Sequence, residues 1–517
     1  MLSAFTARSA TLCGLLLAAR LATATEPLAT QIEAFVDQGP YQNGQWGLLV
    51  TDLKTGDVLY SRAPDKLFAP ASVTKVFSVA AALDAFGPDY RFETPIYAHG
   101  KIDSAGVLDG DLVLVASGDP TLGGRAGTNG EIAYTTSDHI YGEGAVLTRG
   151  DPLAGLNELA LAVRSAGVHH VRGDVLVDDR LFDHAKGSGS GPSLLTPIIV
   201  NDNLIDITVT PAEAGAPAQV VCRPTSVALV VDAQVQTVSD DQSTKVTVTA
   251  PDEGSLVVRG QITEGRKPVV HTHEIEAPAS FARSLLIEAL RRADVAVDAS
   301  PLAKNRTDRL PARDEYGGMR RVAQLTSPPF SESARLILKV SHNLHASTLP
   351  LLMAAKHGER TLVDGLKHQR NFLTEAGIDP DQISFGGAAG GDPADFVTPR
   401  VTVALLRYLS TRNDLFAPFE RALPVLGEDG TLAHAVPPDS PARGKVQAKT
   451  GTMYWSNRMS GGAILTSKAL AGYMTSAGGR RLAFAFFVNN IPTKTAGDRD
   501  QIGKALGQLC QIVYESS

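Results

Sequence analysis

Cysteine is scarce in this chain: 517 residues hold only three. Cys13 falls in an N-terminal stretch treated below, which leaves Cys222 and Cys510 far apart in sequence. Two such residues exclude a disulfide framework, and a chain of this size needs none. Cys510 sits on the apolar face of "QIGKALGQLCQIVYE" and reads as a buried free thiol. An excess of basic charge is also lacking. The net charge of -7 leaves no electrostatic footprint for a nucleic-acid partner. Past the N-terminus no apolar run is long enough to span a bilayer. Internal repeats and low-complexity tracts are absent too. What is present is the composition of an ordinary folded protein. The length exceeds the roughly 250–300 residues at which one core stops growing, so two or more domains are expected.

The first residues, "MLSAFTARSATLCGLLLAARLATATE", carry one early cation at Arg8 and an apolar stretch from Ala10 to Ala19. The small residues Ala22-Thr23-Ala24 follow. That is the pattern of a cleaved secretory signal over 1–24, and Cys13 lacks the surroundings of a lipid-attachment site. Next, "GLLVTDLKTGDVLY" reads as a hairpin around a Lys-Thr-Gly-Asp turn, and Ser72 to Phe86 reads as a helix ended by Gly87-Pro88. From about 92 to 312 short β runs alternate with Gly-, Pro- and Ser-rich joints, with helices near 155–166 and 279–292. The joint "KGSGSGPS" lacks the strand-to-helix context of a phosphate loop and reads as a linker. From 331 onward helices dominate. The strands "KVQAKTG" and "RLAFAFFVNN" and an amphipathic helix over about 499–514 close the chain.

Within "FAPASVTKVFSVAAAL" Ser72 and Lys75 stand three residues apart on one face of a helix that is otherwise apolar. Alone, that pairing is weak, because a serine at a helix start is also an N-cap. A second stretch, "VSHNLHAS", contains Ser341-His342-Asn343, a Ser-x-Asn. A third, "VQAKTGTMY", contains Lys449-Thr450-Gly451-Thr452 at the end of a β run. Lys54-Thr55-Gly56 repeats the tripeptide but precedes Ser72 and lies in a turn, so only the later copy has the right order. Ser-x-x-Lys, Ser-x-Asn and Lys-Thr-Gly in this order are the set of penicillin-binding proteins and class A β-lactamases. Other clusters are weaker. His271, His273 and Glu274 in "HTHE" lack a third ligand of convincing spacing, and His169-His170 reads as a surface turn.

From about residue 30 to the end the chain resembles the D-alanyl-D-alanine carboxypeptidase/endopeptidase family, the S13 peptidases among class C low-molecular-mass penicillin-binding proteins. "LVASGDPTL", "GDVLVDDRLFD", "IVNDNLIDITV" and "LGEDGTLAHA" are similar to family stretches. Two departures stand out: Gly387-Ala388-Ala389-Gly390 replaces an Asp-Gly-Ser-Gly-like stretch ahead of "VTPR", and the hairpin after Lys-Thr-Gly is about ten residues longer than usual. The resemblance implies Ser72 as nucleophile, Lys75 as its base and Ser341 as proton relay. It also implies Asn343, Lys449, Thr450 and Thr452 as substrate-binding residues. Backbone N–H groups of Ser72 and Thr452 would form the oxyanion hole. Lys75 must be neutral to act, and its apolar surroundings favour that form. Lys449 is expected to keep its charge and attract a terminal carboxylate. No metal or other cofactor is required.

The implied fold is α+β: a serine DD-peptidase/β-lactamase-like domain, an antiparallel sheet flanked by helices, interrupted by a large, mostly β insert. The peptidase domain is expected over 25–91 and 313–517, with the insert over 92–312 and a nested inner unit near 182–272. The expected substrates are peptidoglycan stem peptides ending in D-Ala-D-Ala, with β-lactams as covalent inhibitors and no nucleic acid or membrane span. Export places the mature protein in the periplasm or outside the cell. A β-lactamase or esterase with the same machinery, or a non-catalytic cell-wall binding protein, are the alternatives; the insert argues against the first and the intact motifs against the second.

Overall fold

The computed structural model describes residues 26–127, 130–142 and 144–517. The proposed signal over 1–24 lies outside the described residues.

The central sheet joins the two ends of the chain. Its strands run in the order Val446–Asn457, Gly462–Thr475, Arg481–Asn489, Gln45–Asp52, Val58–Arg62, all antiparallel. The short strand Ile491–Thr493 adds to Gly462–Thr475. Leu48 pairs with Phe486 and Leu49 with Ala485, so the register is fixed across more than 430 residues of sequence. Period-two alternation sends successive side chains to opposite faces. Leu48, Val50, Phe484, Phe486 and Val488 enter one core, beneath the helices Leu28–Val36 and Ala496–Ser516. Leu49, Ala483, Ala485 and Phe487 enter the other, shared with the helices Thr74–Phe86, Phe330–Val340, Asn343–Lys356, Leu362–Glu375 and Pro399–Thr411. With both faces covered, strand Arg481–Asn489 is buried along nearly its whole length. Its unbroken apolar run reflects that double coverage.

The insert folds in two nested parts. The outer part is a sheet built on Glu93–Ile102 and Val107–Val115, packed on the helices Ala154–Ser165 and Pro278–Arg292 around its own core. Its edge strand is Arg320–Thr326, which pairs with Glu93–Ile102. The insert's sheet therefore draws on residues beyond the 312 read from the sequence. Residues 307–318 hold only short 3-10 turns, and the edge strand opens with two exposed arginines, so no apolar alternation marks it. The inner part holds two three-stranded sheets over 204–274, between the paired strands Leu204–Thr210 and Val269–Glu274. A small separate core joins them. Among the described residues no helix is long and apolar enough to cross a membrane.

Candidate active site

Helix Thr74–Phe86 is deeply enclosed, with Thr74 to Leu83 all buried. A one-turn 3-10 segment, Ala71–Val73, leads into it. Ala71 there has φ +45°, a conformation that costs a non-glycine residue about 1–3 kcal/mol and is found where a site demands it. Ser72 does not act as an N-cap. Its Oγ lies 2.8 Å from Lys75 Nζ instead.

Lys75 is fully buried and its amine has three partners: Ser72 Oγ, Asn343 Oδ1 at 2.7 Å and the Ala389 carbonyl at 2.7 Å. The last two can only accept. A neutral amine has two N–H donors and one lone pair. With both N–H groups committed to Asn343 and Ala389, the lone pair faces the Ser72 hydroxyl. Burial lowers the Lys75 pKa to about 7, opposed by the carboxylate of Asp395. Asp395 is itself pushed up to about 6 by burial. The environment thus makes neutral Lys75 accessible near neutrality.

The segment Gly387–Gly390 is the floor behind this amine. Ala388 O accepts from Ser78 Oγ at 2.9 Å, next to the Ala389–Lys75 bond. Gly390, at φ +85°, passes so close to Ala71 that a Cβ would stand 1.8 Å from the Ala71 carbonyl oxygen. No larger residue fits there.

Ser341 ends helix Phe330–Val340 in the left-handed conformation (φ +67°, ψ 42°) and His342 caps the next helix, Asn343–Lys356. The abrupt turn brings Ser341 Oγ within 2.9 Å of Lys449 Nζ. Lys449 is also fully buried, and its second partner is the Thr450 carbonyl at 2.7 Å. Burial and the charge of Lys75 hold its pKa well below the ordinary lysine value. The expectation is a cation that attracts a terminal carboxylate, whereas strand Val446–Asn457 turns Lys449 inward toward Ser341, where it is fully buried and does not line the cleft. Asn343 also differs in detail. Its Oδ1 serves Lys75 while its Nδ2 donates to the Ser190 carbonyl (3.0 Å) and approaches Ser190 Oγ (3.1 Å).

These groups surround a cleft of about 800 Å³ whose lining includes Ser72, Ser341, Asn343, Thr450 and Thr452. Every predicted site residue therefore lies in or directly behind one cavity. The earlier Lys54-Thr55-Gly56 does not: its N–H groups at Lys54 and Thr55 donate to Asp52 Oδ1 and form the hairpin turn. The histidines of "HTHE" lie on strand Val269–Glu274 of the inner insert, and His170 pairs with Asp298 at 2.7 Å.

Four contributors escaped sequence reading. The "GSGSGP" stretch is not a linker: Gly189 and Ser190 line the cleft and Ser190 holds Asn343. Tyr141 lines it too and donates to the Val340 carbonyl at 2.6 Å, beside Ser341. Thr431 Oγ1 bonds Thr450 Oγ1 at 2.8 Å. The fourth is a buried ion cluster behind Ser341. Arg125 donates to Asp138 (2.8 and 3.1 Å) and to Asp202 (2.5 Å). His139 bridges Asp202 and Asp206 at 2.6 Å each, and His345 reaches Asp202 at 2.7 Å. His342, the middle residue of Ser-x-Asn, stacks on His345 with ring centres 3.7 Å apart. Burial disfavours charge on His139, but Asp202 and Asp206 outweigh it and raise its pKa to about 9. Burial and His345 push His342 down to about 4. Asp202 with His342 and His345, or with Asp138 and His139, has the spacing of a cation site. In the second group the Arg125 guanidinium already lies against both carboxylates, Asp138 and Asp202. The only local signal was His342-x-x-His345; the other members come from distant stretches.

Comparison with known proteins follows the same line. A profile of the D-Ala-D-Ala carboxypeptidase 3 (S13) family matches residues 28–509. A D-alanyl-D-alanine carboxypeptidase of Actinomadura sp. is 28% identical over 460 residues, covering 84% of this chain and 78% of that protein. The D-alanyl-D-alanine carboxypeptidase DacB of Haemophilus influenzae is 24% identical over 464 residues, 86% of each chain. The crystal structure of penicillin binding protein 4 (dacB) from Haemophilus influenzae superposes with a TM-score of 0.69 at 19% identity, covering 94% of this chain and 99% of that one. That likeness establishes the fold, α+β with a central antiparallel sheet.

Proposed function

The chain belongs to the D-Ala-D-Ala carboxypeptidase 3 (S13) family, and we propose that it hydrolyses peptidoglycan stem peptides through an acyl-enzyme on Ser72. Neutral Lys75 takes the Ser72 proton as Oγ attacks the carbonyl of the penultimate D-Ala. The new C–O bond forms while the carbonyl electrons move onto oxygen. Backbone N–H groups of Ser72 and Thr452 receive that oxyanion, each such donor contributing about 3 kcal/mol of barrier reduction. When the oxyanion collapses, the C–N bond breaks and the leaving amine needs a proton. Ser341 relays it, backed by Lys449 at 2.9 Å. Water then attacks the ester, Lys75 again acting as base, and Ser72 is regenerated.

Lys449 in this scheme works behind Ser341 rather than on the substrate. Asn343 positions Lys75 and, from the cleft wall, the substrate amide. Thr450 and Thr452 offer hydroxyls to the terminal carboxylate. The work is done outside the cytoplasm, where the wall is, after removal of the signal over 1–24. The carrying observation is the pair of acceptor-only partners on Lys75, which leaves its lone pair for Ser72. The test is release of free D-Ala from a purified disaccharide pentapeptide. Wild type is expected to release it and Ser72→Ala not to; equal release by both would refute the reading. β-Lactams should acylate the same serine and leave slowly, whereas a rapid penicillin turnover would mark a β-lactamase.

A further inference from the structure

Two of the three lysines around the cleft are fully buried, and neither Lys75 nor Lys449 lines it. The third, Lys468, does line it. Strand Gly462–Thr475 sets Lys468 directly opposite Thr452 in the antiparallel register. Its Nζ donates to Thr452 Oγ1 at 2.9 Å. An ammonium has donors and no acceptor, so the Thr452 oxygen must accept from it. The Thr452 proton is then free to point elsewhere, and the cleft is the space that Thr452 and Lys468 share. Lys468 also borders an adjoining cavity of about 360 Å³, together with Thr431, Thr450 and Asp500.

We propose that Lys468 is a specificity-determining residue: it holds the Thr452 hydroxyl as a donor and supplies the positive charge that selects a leaving residue with a free α-carboxylate. This rests on the hydrolytic reading above and assigns to Lys468 the task that Lys449 is too enclosed to perform. Among the described residues Lys468 forms no ion pair. Asp500, on helix Ala496–Ser516, is the carboxylate that favours its charge, while burial opposes it. From the same helix Gly503 backs the side chain so closely that a Cβ would lie 3.2 Å from Nζ. Lys504 and His434 line the same cavity and add no negative charge. An arriving carboxylate compensates a partly desolvated amine and is bound by two groups, one ammonium and one hydroxyl.

The test compares two peptides that differ only at the end, one finishing in D-Ala-D-Ala with a free carboxylate and one in its C-terminal amide. Wild type should prefer the free acid. Lys468→Met should lower kcat/KM on the acid by about 10- to 100-fold, mainly through KM, so that the acid-to-amide ratio collapses towards one. Lys468→Arg should keep most of the ratio, and Lys468→Gln, which can still donate to Thr452, should lose most of it. A ratio unchanged in both Met and Gln variants overturns the assignment while leaving the hydrolytic function standing. A wild-type protein that cleaves neither peptide overturns the function itself.

Discussion

Lys75 has three hydrogen-bond partners within 2.8 Å, and two of them can only accept. In the proposed mechanism its action as a base therefore depends on the fraction of neutral amine. Below the pKa of about 7 that fraction falls tenfold per pH unit, and above it the fraction saturates. Acylation by a β-lactam, followed by stopped flow, should rise in that manner from pH 5 to 7 and be flat from 8 to 9. A rate independent of pH between 5 and 7 would exclude lysine as the base. Lys75→Arg keeps the charge but cannot lose its proton, and should acylate about 10²- to 10⁴-fold more slowly. At this scale the contact between Ser72 and Lys75 was legible, because three residues on a helix is a local relation, although the pairing gained meaning only beside the other two motifs. The burial of Lys449 was not legible. Strand pairing, not spacing, decides that Lys449 faces Ser341 while Lys468, on the neighbouring strand, faces the cleft.

The elements that frame the cleft are two tight approaches and one long hairpin. Gly390 passes Ala71, and Gly451 passes Pro70, where a Cβ would stand 2.3 Å from the carbonyl oxygen. Both let backbone close on the segment that carries Ser72. Beyond them the hairpin Val446–Asn457 and Gly462–Thr475 runs past the substrate cleft, with a register shift between Met453 and Tyr454. Tyr454 is 50% exposed and Trp455 57%, yet both line the cleft, and Met459 at the tip is 94% exposed. Arg499 sits over the Tyr454 ring at 4.3 Å and steadies it. These side chains are available to the part of a peptide that extends past the reacting carbonyl. Trp455→Ala should reduce turnover of a pentapeptide by about 3- to 10-fold while changing penicillin acylation less, since penicillin is too short to reach as far. Equal losses on both would assign the hairpin a purely structural part. The hairpin was legible from its length and turn residues. The wall formed by "GSGSGP" was not, because glycine and serine composition describes a flexible joint as well as a close backbone approach.

Across the whole molecule the insert is part of the site rather than an appendage. Ser190 holds Asn343, Tyr141 holds the Val340 carbonyl, and Asp202 gathers His345 and His139 with Arg125. Composition and strand runs revealed that an insert exists. Its long-range contacts could not be read, because each joins residues more than 60 positions apart without any periodic pattern. The cluster gives the interface a pH signature. The folded pKa of His139, about 9, stands above its unfolded value near 6.5. Its stabilisation is therefore complete below about 6.5 and lost as pH rises through 9. Lys75 works in the opposite direction, since its folded pKa is depressed, so the comparison must be between variants. Replacing His139 by Asn should cost about 3 kcal/mol more at pH 6 than at pH 10, by urea unfolding of both proteins. A cost independent of pH would mean that His139 is not charged in the folded protein.

The account turns on Ser72 as the nucleophile, although Ser341 lines the same cleft and also contacts a buried lysine. Peptide mapping by mass spectrometry after brief exposure to benzylpenicillin separates the two most directly. The penicilloyl adduct is expected on the peptide that contains Ser72, and it should vanish in Ser72→Ala while persisting in Ser341→Ala at a reduced rate. An adduct on the Ser341 peptide, or one that survives Ser72→Ala, would contradict it.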